Sequence, residues 1–299
     1  GRMTTKSQAA MMAKAVRRYV ESGEYEANSR DWPGAHYVEK ETNHHAALLD
    51  GLLAEVRRRA DGARPPALPD GLDLVAFTRS RVAPMVEGLF PAKEHEVVLG
   101  LLERSVVFLT PDNIEQVLTA EDFPSSAWDL ANLYLGSLGR KALDGKRAGL
   151  VGLSQKTSCF VALTYFTEED RFADFVVHEA AHVFHNWKRE YAGMPFTRTR
   201  EWLLEIEFRK RETFAYSCEA FSRILTLGKT RVEREKLAAE YAAGSAPSDE
   251  RVDGAEVADI VRDAVVTRNG WKRILARCAP VRSPRRAAGQ ISPAIAEKK

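Results

Sequence analysis

His178-Glu179-Ala180-Ala181-His182-Val183-Phe184-His185 gathers three of the chain's seven histidines into eight positions. It contains the pattern HExxH. On an α-helix, residues i and i+4 lie one above the other, so the imidazoles of His178 and His182 can reach one metal ion. Glu179, about 100° further round the helix, stands beside that ion, where it can take a proton from metal-bound water. Such a motif arises by chance in roughly one or two shuffled sequences of this composition per hundred, so its surroundings have to be weighed too. At helical spacing Asp174, His178, His182 and His185 fall in a stripe about 80° wide, and Val176, Val177, Ala180, Val183, Phe184 and Trp187 lie on the remaining arc. A helix anchored by a thick apolar face and presenting only titratable groups on the other is expected to give those groups a partner.

Working outward, Cys159–Phe166 (CFVALTYF) is rich in β-branched, aromatic and apolar residues and predicts a strand. It feeds a helix expected from Glu168 to about Glu190. That strand is either an ordinary core strand or a sheet edge onto which an extended peptide can add.

Two imidazoles do not make a tight zinc site, so a third ligand is required. A histidine six residues after His182 would define a metzincin, but Lys188 stands there, and His185 occupies the position where that pattern has Gly. The remaining option is a Glu on a later helix, expected over 200–228. Glu205, Glu212, Tyr216 and Glu219 share one face of it, and Phe214, Cys218, Phe221, Ile224 and Leu225 lie opposite. The carboxylates not used as ligands, or Asp174, can hold a ligand histidine through its second nitrogen. Peptide hydrolysis also needs a donor for the developing oxyanion, for which Tyr216, Tyr191 and His185 are candidates.

His178 and His182 followed by a Glu about thirty residues on resemble the gluzincin-type zincin metallopeptidases, and Glu212-Thr213-Phe214-Ala215 resembles the ExxA surroundings of their third ligand. The resemblance covers roughly 150–225 at the level of motifs. It implies zinc held by His178, His182 and Glu212, with Glu179 as general base. A fainter similarity is to the ImmA/IrrE-type regulatory proteases, whose extra histidine often sits four residues after the second ligand; His185 sits three after. The function expected is a zinc-dependent endopeptidase of narrow or regulatory specificity, with Glu179 and Tyr216 catalytic and a protein or peptide as substrate. The alternative is a non-catalytic module that zinc stabilises.

The rest of the chain predicts an α+β, mostly helical fold with a small sheet. Helices are expected over 4–22 and 43–59, forming an N-terminal helical region, residues 3–60, that is a unit of its own or an arm packed on the rest. Asp61–Gly71 (DGARPPALPDG) reads as a linker. From there to about 278 lies the metallopeptidase domain: helices over 73–90 and 93–104, a strand Val106–Leu109, a helix from Trp128, a strand at Leu150–Leu153, the motif elements, and helices over 230–243 and up to Cys278. His44-His45, at a helix start, reads as exposed polar surface.

With 44 basic and 42 acidic residues the net charge is only +2, and it is uneven. Eight Lys or Arg lie between Trp271 and Lys299 against the single acid Glu297, so that stretch carries +7 and the remainder −5. Residues 279–299 are therefore expected to be a disordered basic tail, the one segment with any attraction for nucleic acid. Three widely spaced cysteines without CxxC indicate neither a disulfide framework nor a cysteine zinc knuckle. No apolar run reaches the ~18 residues of a membrane span, and Lys14, Arg17 and Arg18 interrupt the Ala/Met stretch that might pass for a signal peptide. A cytoplasmic location is the expectation.

Overall fold

A computed structural model describes residues 5–144, 152–155 and 157–281 of the 299-residue chain. The expected tail beyond 281, and Leu150 and Val151 of the expected strand, lie outside the described residues. The architecture is α+β and mostly helical, with helices on both faces of a three-stranded sheet. In chain order the elements are α1 (Thr5–Ser22), α2 (Tyr37–Ala60), α3 (Leu74–Leu89), α4 (His95–Ser105), β1 (Val106–Leu109), α5 (Ile114–Thr119) and α6 (Pro124–Ser137). They continue with β2 (Gly152–Gln155), β3 (Ser158–Ala162), α7 (Phe175–Asn186), α8 (Arg211–Leu227), α9 (Arg231–Gly244), α10 (Gly254–Val266) and α11 (Gly270–Cys278).

The sheet order is β1-β3-β2, with β1 parallel and β2 antiparallel to β3. Both edges of β3 are therefore paired, and it is the central strand. That removes the possibility that Cys159–Phe166 offers a free edge to a peptide. The strand also stops at Ala162, and Leu163–Thr167 turns into a 3-10 helix. Alternation along β3 explains the unbroken apolar run. Cys159 and Val161 join one core with α3, α4, α7 and α8, while Phe160 and Ala162 join a second with α2, α5 and α6.

The first two helices lean on α6 within that second core. Tyr19 donates to Pro124 O at 2.5 Å and Trp128 Nε1 to Val20 O at 3.0 Å. Gly23 ends α1 in the left-handed region (φ 74°), and a Cβ there would sit 2.8 Å from the Trp128 ring, so the junction requires glycine. His44 is not surface: it is buried, stacked on Trp32 with centroids 4.2 Å apart and bonded through Nδ1 to Ser29 Oγ at 3.0 Å. At helical spacing His44 shares the buried face of α2 with Leu48, Leu52 and Val56, and the preceding loop supplies its partners Ser29 and Trp32.

The motif helix is shorter than expected, running Phe175–Asn186 rather than 168–190. Side chains compete with the backbone just ahead of it: Glu168 accepts from Asp170 N and Asp170 from Phe172 N. Asp174 then caps the helix by accepting from Val177 N. At the far end Trp187 is extended, and Arg189, fully buried, pins the departing chain. Its side chain reaches Glu94 Oε1 at 2.5 Å, Pro195 O at 2.7 Å and Leu203 O at 3.2 Å. The helix expected over 200–228 likewise begins only at Arg211, because the Glu205 carboxylate closes a turn by accepting from Glu201 N and Trp202 N. Among the described residues no helix is long and apolar enough to cross a membrane.

Candidate metal centre

α7 and α8 pack face to face, which brings the two titratable stripes together. α7 is tied to the sheet through its backbone, since Cys159 Sγ donates to Glu179 O at 2.9 Å. His178 Nε2 and His182 Nε2 lie 3.4 Å apart, and Glu212 Oε2 is 3.6 Å from the first and 3.5 Å from the second. Glu212 is thus the carboxylate that joins the two histidines. Glu205 is spent in its turn, and Glu219 lies behind His178.

The hydrogen bonds behind the two imidazoles fix their tautomers. His178 Nδ1 meets Glu219 Oε2 at 3.0 Å, and a carboxylate only accepts, so Nδ1 carries the hydrogen. The other oxygen of Glu219 accepts from Asp174 N at 2.8 Å. His182 Nδ1 meets His185 Nε2 at 2.9 Å, and His185 Nδ1 meets Asn186 Oδ1 at 2.9 Å. The amide oxygen accepts, so the relay runs His182 Nδ1–H to His185 Nε2, then His185 Nδ1–H to Asn186. Burial, with Arg211 nearby, lowers the His185 pKa to about 3, in keeping with the neutral relay this requires.

Both imidazoles therefore turn a bare Nε2 lone pair toward Glu212 Oε2, a buried atom with no hydrogen-bond partner among the described residues. Three lone-pair atoms within 3.4–3.6 Å repel one another unless a positive charge sits between them. Burial alone disfavours an imidazolium, but Glu212 and Glu219 outweigh it and push His178 up to about 10, the direction expected where positive charge is favoured between these atoms. Burial likewise opposes ionisation of Glu212, and the two imidazoles outweigh it, holding the carboxyl well below its usual range. The triangle also fits a metal: tetrahedral zinc with bonds of about 2.0–2.1 Å separates its ligand atoms by about 3.3–3.4 Å. His178, His182 and Glu212 form a group able to hold a metal ion.

Glu179, the next residue after the first histidine, is buried with Oε2 unpartnered among the described residues. Burial raises its pKa against the pull of the two imidazoles, as suits a group that accepts and returns a proton. Of the three oxyanion-donor candidates, His185 has both nitrogens engaged behind His182, and Tyr191 lies exposed on the turn after α7. Tyr216 stands beside the centre, its ring 4.6 Å from His178, and its hydroxyl donates to Asp249 Oδ2 at 3.0 Å. A cavity of about 430 Å³ opens on this flank, lined by Tyr216, Glu219, Asp249, Phe172, Phe175 and Tyr241.

Two further neighbours carry no signal in the sequence. Arg81 of α3 pairs with the buried Asp174, which also accepts from Tyr165 OH at 3.0 Å. Arg251 meets Glu212 Oε1 at 2.6 Å from a loop 39 residues downstream. Neither stands in a recognisable pattern, and only the tertiary fold brings them in. No family model matches the chain, and no curated protein or solved structure matches it.

Proposed function

We propose that the protein is a cytoplasmic, zinc-dependent endopeptidase built on a zincin-like core, acting on a protein or peptide substrate. The observation that carries this reading is the convergence of His178 Nε2, His182 Nε2 and Glu212 Oε2 on one point, with Glu179 one residue along the same helix. The donor set of two imidazoles and one carboxylate suits zinc, and its three-ligand count supports a catalytic rather than a closed structural site. Glu219, the residue that would have closed the site, is turned to His178 Nδ1 instead. A purely structural centre has no use for a buried Glu179 whose Oε2 is unpartnered among the described residues.

Zinc, when bound, supplies Lewis acidity that polarises a peptide carbonyl and acidifies water. Glu179 takes the proton of the attacking water and hands it to the leaving amine. Glu219 and the His185–Asn186 relay hold the two imidazoles so that Nε2 faces inward throughout. Tyr216, beside the centre, offers its hydroxyl to the oxyanion on exchanging its bond to Asp249.

Two measurements test the reading. Elemental analysis should give about one zinc per wild-type chain and none in His182→Ala. Glu179→Gln should keep its zinc yet cut a peptide library at least ~100-fold more slowly, the usual range for a lost general base. Cleavage undiminished in Glu179→Gln would remove the mechanism. Zinc retained with no cleavage of any library member by wild type would favour a metal-stabilised binding module.

A further inference from the structure

The two histidine ligands each have a holder within the α7–α8 pair, and the third ligand has one from outside it. Arg251 lies in the loop between α9 and α10, and its Nη1 is 2.6 Å from Glu212 Oε1. That leaves Oε2 as the oxygen facing both imidazoles. The side chain of Arg251 is 63% exposed, which would ordinarily make such a contact weak and floating. Here it is framed. Asp249 grips the same guanidinium through both oxygens, with Nε to Oδ1 at 3.0 Å and Nη2 to Oδ2 at 2.5 Å. Asp249 is itself fixed by Tyr216 OH at 3.0 Å and by Arg251 N at 2.9 Å. Glu212 and Tyr216 are four residues apart on α8, one above the other on one face. The contacts therefore close a ring: Glu212 to Arg251, Arg251 to Asp249, Asp249 to Tyr216, and Tyr216 back along the helix to Glu212.

We infer that Arg251 is a positioning residue for the metal centre: it occupies one oxygen of Glu212, so that this carboxylate ligates through Oε2 alone, and Asp249 with Tyr216 is the frame that aims it. A planar fork bound to two carboxylates at once can do this where a point charge cannot. The inference rests on the zinc-site reading above and adds the mode of ligation. It also gives Tyr216 a task besides any part in the reaction.

The test uses the full chain as wild type, Arg251→Gln, Arg251→Lys and Tyr216→Phe, with thermal unfolding as a folding control. Zinc affinity is measured by chelator competition, and coordination by visible absorption of the cobalt(II)-loaded proteins. Arg251→Gln should bind zinc roughly 10–100-fold more weakly, the usual cost of losing a partner that orients a ligand. Its cobalt bands should weaken as Glu212 turns both oxygens to the ion and the centre becomes five-coordinate. Arg251→Lys should resemble Arg251→Gln, because it keeps charge without the fork, and Tyr216→Phe should shift in the same direction by less. Unchanged affinity and spectra in both Arg251 variants, or tighter binding in Arg251→Gln from relieved repulsion of the cation, would overturn the inference while leaving the zinc site standing. Failure of wild type to bind zinc or cobalt would overturn both.

Discussion

Replacing Arg189 by Met leaves Glu94 behind in the protein interior. Arg189 is fully buried and Glu94 nearly so, and they meet at 2.5 Å. Removing one partner of a buried pair typically costs about 3–5 kcal/mol, because the remaining charge is neither solvated nor compensated. Two local facts act on that range. Arg200 lies 3.5 Å from the same Glu94 oxygen and can lend part of its charge, which pulls the cost down. Pro195 O and Leu203 O lose the donors Nε and Nη1, which pushes it up by about 1 kcal/mol for each bond lost. The expected loss is about 3–5 kcal/mol in urea unfolding followed by circular dichroism, a large part of the total stability of a typical domain. The double variant Arg189→Met/Glu94→Gln should recover at least half of it, since the stranded charge is gone. Arg189 also holds the 188–206 segment that carries α7 over to α8, so the single variant should bind zinc more weakly as well. A loss below about 1 kcal/mol, or a double variant no more stable than the single, would refute the reasoning, because either result would mean that Glu94 finds water or another partner at no cost.

Other expectations follow from the same contacts. Glu219→Gln keeps the shape behind His178 but removes the charge, and chelator competition should find zinc bound roughly 10–100-fold more weakly. The Arg251 guanidinium, outweighing burial, lowers the Asp249 pKa to about 2. Its contribution to stability is therefore present above the ordinary value of 3.8 and lost as pH falls toward about 2; in Arg251→Gln, carboxyl-detected NMR should find the Asp249 titration moved back up. Phe184, fully buried on α7 and edge-on to Phe90 at 5.2 Å, should cost about 3–5 kcal/mol in thermal or urea unfolding when replaced by Ala.

Much of the centre is legible in one dimension because it is periodic. The i, i+4 spacing of His178 and His182, the titratable stripe on α7 and the carboxylate face of α8 are consequences of 3.6 residues per turn, and they hold wherever the helices end up. The apolar runs at Val106–Leu109 and Cys159–Ala162 mark strands for the same reason, since burial on both faces removes any need for alternation. Helix ends are less legible. They depend on competing acceptors such as Glu168, Asp170 and Asp174, and on the buried Arg189, whose partner Glu94 lies 95 residues away.

The choice among Glu205, Glu212 and Glu219 belongs to the tertiary structure. All three sit on the same face of the helix expected from sequence, and the turn closed by Glu205 and the crossing of α7 over α8 give each a different task. The same holds for β3, whose place between β1 and β2 is decided by strand order rather than by composition. Arg81 and Arg251 complete the pattern: each is an unremarkable polar residue in sequence, and each finds its partner only through the packing of elements far apart in the chain. Local periodicity fixes which residues can share a surface. Which surfaces then meet depends on long-range packing, and so does the partner each buried polar group must find to offset its lost hydration.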